Sequence, residues 1–384
     1  MEYPSNISTK LPKVSTTIFS VMSALAKEHN AYNLSQGFPD FEVSPKLIEH
    51  VHAEMRAGFN QYAPMEGAIE LREQVAIKTE KLYGAHYNPE KEVTITAGGT
   101  QALYTAFTAT IREEDEVILF TPAYDSYAPA IELCGGKPIY VPLEAPHYKI
   151  DWNEVKKLIN RRTRMIVINT PHNPTGTIFS ADDMAHLESI TRDNDIIILS
   201  DEVYEHTVLD GFQHQSIARY PKLAERSFII GSFGKTFNVT GWKVGFCLAP
   251  TNLMREFRKV HQYMVFSVNT PIQRAIAEFL KDENNYIHIP DLFQEKRDFF
   301  IRALNGSRFK VTPTQGTYFQ LLNYSNISDE KDTEFAKRLT VEHKVASIPV
   351  SVFYHNPTRD QVLRFCFAKQ EETLEKAADI LCRL

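Results

Sequence analysis

The feature that most constrains this chain is a succession of short strand-like runs between residues 93 and 248. They are Val93-Thr-Ile-Thr96, Val117-Ile-Leu-Phe120, Met165-Ile-Val-Ile168, Ile196-Ile-Ile-Leu199, Phe228-Ile-Ile230 and Val244 to Leu248. The runs at Met165 and Ile196 are continuously apolar, the pattern of strands covered on both faces. Helical patterns fall between the strands: Thr100 to Thr110, Tyr127 to Cys134 ended by Gly135-Gly136, and a capping-box-like start at Asp151-Trp-Asn-Glu154. Strands alternating with helices predict an α/β fold: a large domain whose mostly parallel sheet is sandwiched by helices.

The flanks read differently. An amphipathic stretch from Thr16 to His29 sets Ile18, Met22 and Leu25 on one side. A loop spans Asn33 to Asp40, Ser44-Pro45 opens a helix with proline in its first turn, and a further helix precedes Gly84. After Pro271 long helical patterns dominate, with strands at Tyr318 to Leu322 and Val362 to Phe367. The expected division is an N-terminal segment, 1–44, belonging to a smaller α+β domain; a large domain, 45–280; and the C-terminal small domain, 281–384. The chain's 384 residues have room for both cores.

The formal net charge of -6 argues against a general nucleic-acid grip, which needs a basic surface. No run approaches the roughly 20 apolar residues of a membrane helix, and the first residues lack the apolar middle of a signal peptide. Cys134, Cys247, Cys366 and Cys382 show no metal-ligand spacing and read as reduced thiols of a cytoplasmic protein. No metal, nucleic-acid or membrane partner is expected.

In α/β sheets ligands bind beyond the carboxyl ends of the strands, so the loops there are informative. Ala97-Gly98-Gly99-Thr100-Gln101 opens a helix, where free N–H groups favour an anion; it is also a plain tight turn. Thr121-Pro-Ala-Tyr124 ends in a ring that serves as packing or as a shelf. Asn169-Thr-Pro-His-Asn-Pro-Thr-Gly176 is first of all a turn. Asp201, at the tip of an apolar strand, caps a helix or needs a partner, because an unpaired buried charge is costly. Lys235 directly follows a buried strand, and a desolvated lysine loses proton affinity and becomes a nucleophile. Gly231 and Gly234 stand too close together for a Walker nucleotide loop. Singly, each loop has a bland reading. Jointly they set an anion cradle, an aromatic shelf, an amide, a carboxylate and a lysine on one sheet edge, the set that pyridoxal phosphate requires.

Seven ordered motifs then carry a family resemblance. They are Asn33-Leu-Ser-Gln-Gly-Phe-Pro-Asp-Phe41, Asn60-Gln-Tyr-Ala-Pro-Met65, Asn169-Thr-Pro-His-Asn-Pro-Thr-Gly176, Ser200-Asp-Glu-Val-Tyr-Glu205, Ser232-Phe-Gly-Lys-Thr236, Thr240-Gly-Trp-Lys-Val-Gly245 and Arg364-Phe-Cys-Phe-Ala-Lys369. Over nearly its whole length the chain resembles the class I/II aminotransferases, pyridoxal-phosphate enzymes of fold type I. Phe266-Ser-Val-Asn-Thr-Pro271 and Ile348-Pro-Val-Ser-Val-Phe353 tilt the resemblance toward the branch of bacterial methionine aminotransferase, beside the kynurenine aminotransferases and glutamine transaminase K.

The resemblance implies a role for each residue. Lys235 forms the Schiff base with pyridoxal 5'-phosphate and later shuttles the proton. Asp201 keeps the pyridine nitrogen protonated. Tyr204, helped by Asn173, donates to the phenolic oxygen, and Tyr124 stacks on the ring. Gly99, Thr100 and Gln101 offer backbone and side-chain donors to the phosphate, with Ser232 and Lys243. Lys243 stands where many relatives carry arginine, so a point contact replaces a fork. Tyr62 reaches the phosphate of the other protomer, which implies a homodimer with active sites shared across the interface. Arg364 grips the substrate carboxylate beside Asn173 and the backbone of Gly37, with Arg338 and Arg359 as rivals. Phe19, Phe38, Tyr62 and Tyr124 are candidate walls of an apolar side-chain pocket and stand equally as core.

The implied reaction moves an amino group from a neutral, large amino acid (methionine, aromatic, glutamine or kynurenine type) to a 2-oxo acid. The same lysine and cofactor also suit a β-lyase acting on cysteine conjugates, distinguished by pyruvate and ammonia release without an acceptor. A non-catalytic cofactor-binding regulator is a third reading. Relatives of that kind carry an added DNA-binding domain, which this acidic chain lacks.

Overall fold

The computed structural model describes residues 5–356 and 358–384. Its main sheet has seven strands in the order Val93–Thr96, Gly245–Leu248, Ser227–Ser232, Ile197–Asp201, Thr163–Asn169, Glu116–Thr121, Lys137–Pro142. All neighbours pair in parallel except where Gly245–Leu248 runs against both its partners. Successive side chains enter opposite cores. Ile166, Ile168, Ile198 and Ile229 join one cluster, while Met165, Val167, Leu199 and Ile230 join the other. Helices close both faces: Gly99–Thr110 and Thr251–Met264 supply Phe107 and Phe257 to one core, and Ile69–Tyr83 and Thr270–Leu280 supply Val75 and Ile276 to the other. Double-sided burial is why the strand runs lack polar alternation. The expected α/β architecture is the one found.

Three elements differ from expectation. The Ile196 run does not stop at Leu199: the strand continues to Asp201, whose register partners are Asn169 and Ile230. Its carboxylate therefore projects from a paired strand end, not from a free loop. Lys137–Pro142 is an unforeseen strand. It contains two prolines but pairs only with Glu116–Thr121, and a sheet edge tolerates a missing N–H. The long helices also begin before Pro271, with Thr251–Met264.

The C-terminal part builds a four-stranded antiparallel sheet in the order Ile348–Pro349, Val362–Cys366, Phe319–Asn323, Lys310–Val311. Tyr32–Asn33 pairs in parallel with Val345–Ala346. Through that pairing Met22 and Leu34 enter the same core as Phe293, Phe300, Phe335 and Leu374. Asp151 caps its helix by accepting from the N–H groups of Asn153 and Glu154, and Gly84 ends Ile69–Tyr83 at φ 70°. Among the described residues no helix is long and apolar enough to cross a membrane.

The loop 169–176 is tied to the C-terminal part. The N–H groups of Gln315 and Gly316 donate to Gly176 O at 3.1 and 2.8 Å. Gly176 has φ +72°, and a Cβ there would run into the Thr314 side chain. Gly176→Ala combines left-handed strain with overpacking, so we expect it to destabilise the protein by roughly 1–3 kcal/mol. An unchanged denaturant midpoint would contradict this account of the junction.

Candidate active site

The carboxyl ends of the parallel strands open on a cavity of about 240 Å³ that holds Asp201, Lys235, Lys243 and Arg364. A larger cleft of about 580 Å³ shares Tyr127 and Asn169 as a common wall but contains none of these four charges. The chemistry therefore belongs to the smaller cavity.

Asp201 is held by two donors. Tyr127 Oη donates to Oδ2 at 2.6 Å and the N–H of Val203 to Oδ1 at 3.3 Å. Burial outweighs both and pushes its pKa up to about 6. Lys235 lies in the short turn Phe233–Thr236, directly after Ser227–Ser232. Its Nζ donates to Tyr318 Oη at 2.9 Å and to Gly37 O at 3.2 Å. Burial, with Arg364 and Lys243 adding positive charge, lowers its pKa to about 8. Tyr204 packs edge-on to Tyr318 at 5.1 Å, and Lys235 Nζ stands 5.6 Å from its ring. Burial raises the pKa of Tyr204, so its hydroxyl keeps its proton.

Arg364 comes from the strand Val362–Cys366 and is almost wholly buried. Its Nη1 donates to Asn173 Oδ1 at 2.7 Å and its Nη2 to Ser35 O at 3.2 Å, while Nε finds no partner. Burial lowers its pKa to about 10, which leaves it cationic at neutral pH. Asn173 is positioned by Asn169, which accepts its N–H at 2.8 Å and itself donates to Asp201 O at 2.8 Å. Arg338 is spent on Glu330 at 2.6 Å, and Arg359 does not reach the cavity.

At the other end the helix Gly99–Thr110 points its first turn inward beside Thr100 and Ser232. Gly98 has φ +84°, and a Cβ there would lie 3.3 Å from Lys243 Nζ; a Cβ on Gly99 would lie 3.0 Å from Val203. Bare backbone and an ammonium thus converge on one spot, which suits a phosphate. Asp201 is the one acid among the described residues lining the cavity. An anion cradle, a separate carboxylate and a lysine of low basicity together fit pyridoxal phosphate.

The structure gathers Gly37, Gly99, Thr100 and Asn173 around the cavity with Asp201, Tyr204, Ser232, Lys235, Lys243 and Arg364, and two of the candidate walls, Phe19 and Tyr124, line it as well. Three expected residues stand elsewhere. Gln101 turns its side chain away: its Oε1 accepts the Ala97 N–H at 2.9 Å and its Nε2 donates to Thr105 Oγ1 at 2.5 Å. Only its backbone N–H remains at the helix start, so the side-chain donor assigned to it is withdrawn. Tyr62 is 80% exposed and Phe38 lies against Lys369 Nζ at 4.7 Å; neither walls the cavity of its own chain. Tyr127, Asn169 and Tyr318 had been given no role. Asn169 was visible as the first residue of a quoted motif, whereas Tyr127 and Tyr318 looked like ordinary helix and strand residues.

Comparison with known proteins agrees with this geometry. The family described as Aminotransferase class I and II matches residues 29–381. Methionine aminotransferase of Escherichia coli (strain K12) is 49% identical over 377 residues, covering 98% of each chain. Kynurenine–oxoglutarate transaminase 1 of Homo sapiens is 36% identical over 386 residues, covering 91% of this chain and 92% of that one. The solved structure of an Escherichia coli protein identified with a methionine aminotransferase function superposes with a TM-score of 0.97 at 49% identity, covering 99% of this chain and 100% of that one. Sheet, buried lysine, facing carboxylate and these relatives agree: the chain is a pyridoxal-phosphate-dependent transaminase and belongs to the class I and II aminotransferases.

Proposed function

We propose that this aminotransferase takes neutral, bulky amino acids, methionine foremost, and passes the amino group to a 2-oxo acid. One observation carries the substrate class. The basic groups lining the cavity among the described residues are Lys235, Lys243 and Arg364. With Lys243 at the phosphate end and Lys235 at the reacting carbon, Arg364 alone is left for a substrate carboxylate. Among the described residues of one protomer, no second cation awaits a charged side chain. Arg364 Cζ lies 3.8 Å from the Phe319 ring and 5.2 Å from Phe19, so an apolar side chain meets aromatic walls. The 49% identity to an enzyme named for methionine supports the same reading.

When bound, pyridoxal phosphate supplies an aldehyde that captures amines and a ring that accepts the electrons left by a departing Cα proton. The remaining work falls to the chain. Asp201 holds a proton on the ring nitrogen, and that positive charge offsets the burial that raises Asp201. Lys235, whose basicity burial has already reduced, takes the substrate Cα proton and returns it, a service worth roughly 10²–10⁴ in rate. Tyr204 donates to the phenolic oxygen, and Ser232, Lys243 and the N–H groups of Gly99 and Thr100 hold the phosphate. Arg364 orients the carboxylate, with Asn173 beside it.

The working unit in this reading is a homodimer. Tyr62 meets Phe266 edge-on at 5.3 Å, and Tyr263 and Met264 are exposed nearby, an apolar patch that a second copy covers. Tyr62 then serves the partner's phosphate. Four free cysteines suit a reducing cytoplasm.

Methionine added to the holoenzyme without an oxo acid should convert the cofactor to its amine form, read by absorbance; no conversion with any neutral amino acid would defeat the proposal. Arg364→Lys keeps the charge and loses the fork, so kcat/KM should fall roughly 10–100-fold. Attack by Lys235 needs the neutral amine. The rate at which the apoprotein captures an aldehyde should therefore rise about tenfold per pH unit below pH 8 and level off above it, because its pKa is about 8. A rate still climbing steeply past pH 9 would mean an ordinary lysine.

A further inference from the structure

The turn 201–207 has two sides. Asp201, Val203 and Tyr204 face the cavity, while Glu202, Glu205 and His206 are buried behind it. Each glutamate is clamped to a different element. Glu202 Oε1 accepts from Ser200 Oγ at 2.7 Å and from the N–H of Ile217 at 3.0 Å, and its Oε2 meets His214 Nε2 at 2.9 Å. Glu205 Oε1 accepts from Lys78 Nζ at 2.5 Å and its Oε2 from Tyr83 Oη at 2.6 Å. Lys78 and Tyr83 both belong to the helix Ile69–Tyr83, which contributes nothing to the cavity walls.

We propose that Lys78 is a positioning residue for transamination: through Glu205 it locks the rotation of the turn that aims Asp201 and Tyr204. The proposal rests on the roles given above to those two residues. Lys78 and Glu205 side chains are only 3% and 5% exposed. A buried ion pair is a poor source of stability, since apolar residues of similar volume generally do as well. What it supplies is direction. Two donors from one helix fix both oxygens of Glu205, where an apolar contact would slide. The turn transmits that orientation through the Glu205 N–H, which donates to Glu202 O at 2.9 Å, and the Thr207 N–H, which donates to Tyr204 O at 2.7 Å. Tyr204 sits between these two bonds. Lys78 Nζ also lies 5.1 Å from the Phe246 ring, and Phe246 covers Gly231 in the strand that leads to Lys235.

The test is the double variant Lys78→Met/Glu205→Gln, which removes the pair without leaving one charge buried alone. We expect a folded protein whose apoprotein binds pyridoxal phosphate about five- to tenfold more weakly, a loss of the size of one well-placed hydrogen bond. The visible circular dichroism of the bound cofactor should weaken, and kcat should fall about tenfold, as misplacement without lost contacts does. KM for the oxo acid should stay within about twofold, because Arg364 is carried by the strand Val362–Cys366 of the smaller sheet and not by the turn. Lys78→Arg alone, which leaves Glu205 in place and keeps the pair, should retain most of the affinity, dichroism and kcat. A double variant that melts earlier yet keeps cofactor affinity, dichroism and kcat would overturn the proposal. If it does not fold, Tyr83→Phe, which deletes one hydroxyl, decides by the same readouts: a two- to threefold weaker affinity with altered dichroism supports the clamp, and unchanged values sink it. Asp201→Asn measured alongside separates the two claims. If that variant is itself indistinguishable from the parent, the role of Asp201 fails, whatever the clamp does.

Discussion

The site depends on keeping an amine and a carboxylate out of water without letting them neutralise each other directly. The hydrogen bonds of Lys235 go to Tyr318 and Gly37; those of Asp201 come from Tyr127 and Val203. Burial draws each toward its neutral form, Lys235 down to about 8 and Asp201 up to about 6. A carboxyl raised above its ordinary value weakens the fold increasingly from pH 3.8 to pH 6 and fully above that. A lysine lowered below its ordinary value weakens it increasingly from pH 10.5 down to pH 8 and fully below that. Both penalties are present at neutral pH, on the order of 3 kcal/mol each. In the proposed reading, a cofactor with a positive ring nitrogen and an electrophilic carbon would relieve both at once. Stability is given up where function is gained, a common trade at active sites.

The same requirement explains why distant parts of the chain meet here. Tyr318 Oη donates to Gly37 O at 2.6 Å and accepts from Lys235 at 2.9 Å. One hydroxyl thus joins the N-terminal segment, the C-terminal sheet and the lysine turn. Gly37 permits this because a Cβ there would lie 2.7 Å from the Phe319 ring. Arg364 enters from the central region of the C-terminal sheet, with Leu321 and Ile348 as register partners. The large sheet supplies Asp201 and Lys235, and the smaller sheet supplies Arg364, so the cavity exists only where the two pack.

Legibility in the sequence followed range. Strands at Val93, Val117, Met165, Ile196, Phe228 and Val244 were readable because burial on both faces writes itself into consecutive residues. Lys137–Pro142 was not, since an edge strand is half-exposed and its prolines argue locally for a turn. Lys235 and Asp201 were readable because a charged residue ending an apolar run is anomalous by itself. Tyr127 and Tyr318 carried no such anomaly. A buried tyrosine is ordinary until its hydroxyl is seen to meet Asp201, 74 residues away, or Gly37, 281 residues away. Gln101 misled for a related reason: its backbone position at the helix start was legible, but its rotamer is set by Ala97, Thr105 and His261.

In the proposed reading, charge retention and substrate choice become one property at Arg364. Its guanidinium keeps its proton although nearly all water has been removed, and three phenylalanine faces stand 3.8, 5.2 and 5.6 Å from Cζ. Such faces attract a cation by their quadrupoles, an attraction that grows as water is excluded. They replace part of the lost hydration without consuming a hydrogen bond, which leaves Nε unpaired. Two of these rings, Phe19 and Phe319, also wall the cavity beside Arg364. Widening the pocket at Phe319, the nearest ring, would uncover the guanidinium and admit water to it, which on the role proposed for Arg364 weakens carboxylate binding together with side-chain selection. Phe19 stands farther from the charge, so its size can vary with less effect on Arg364, and side-chain preference has its freest adjustment there.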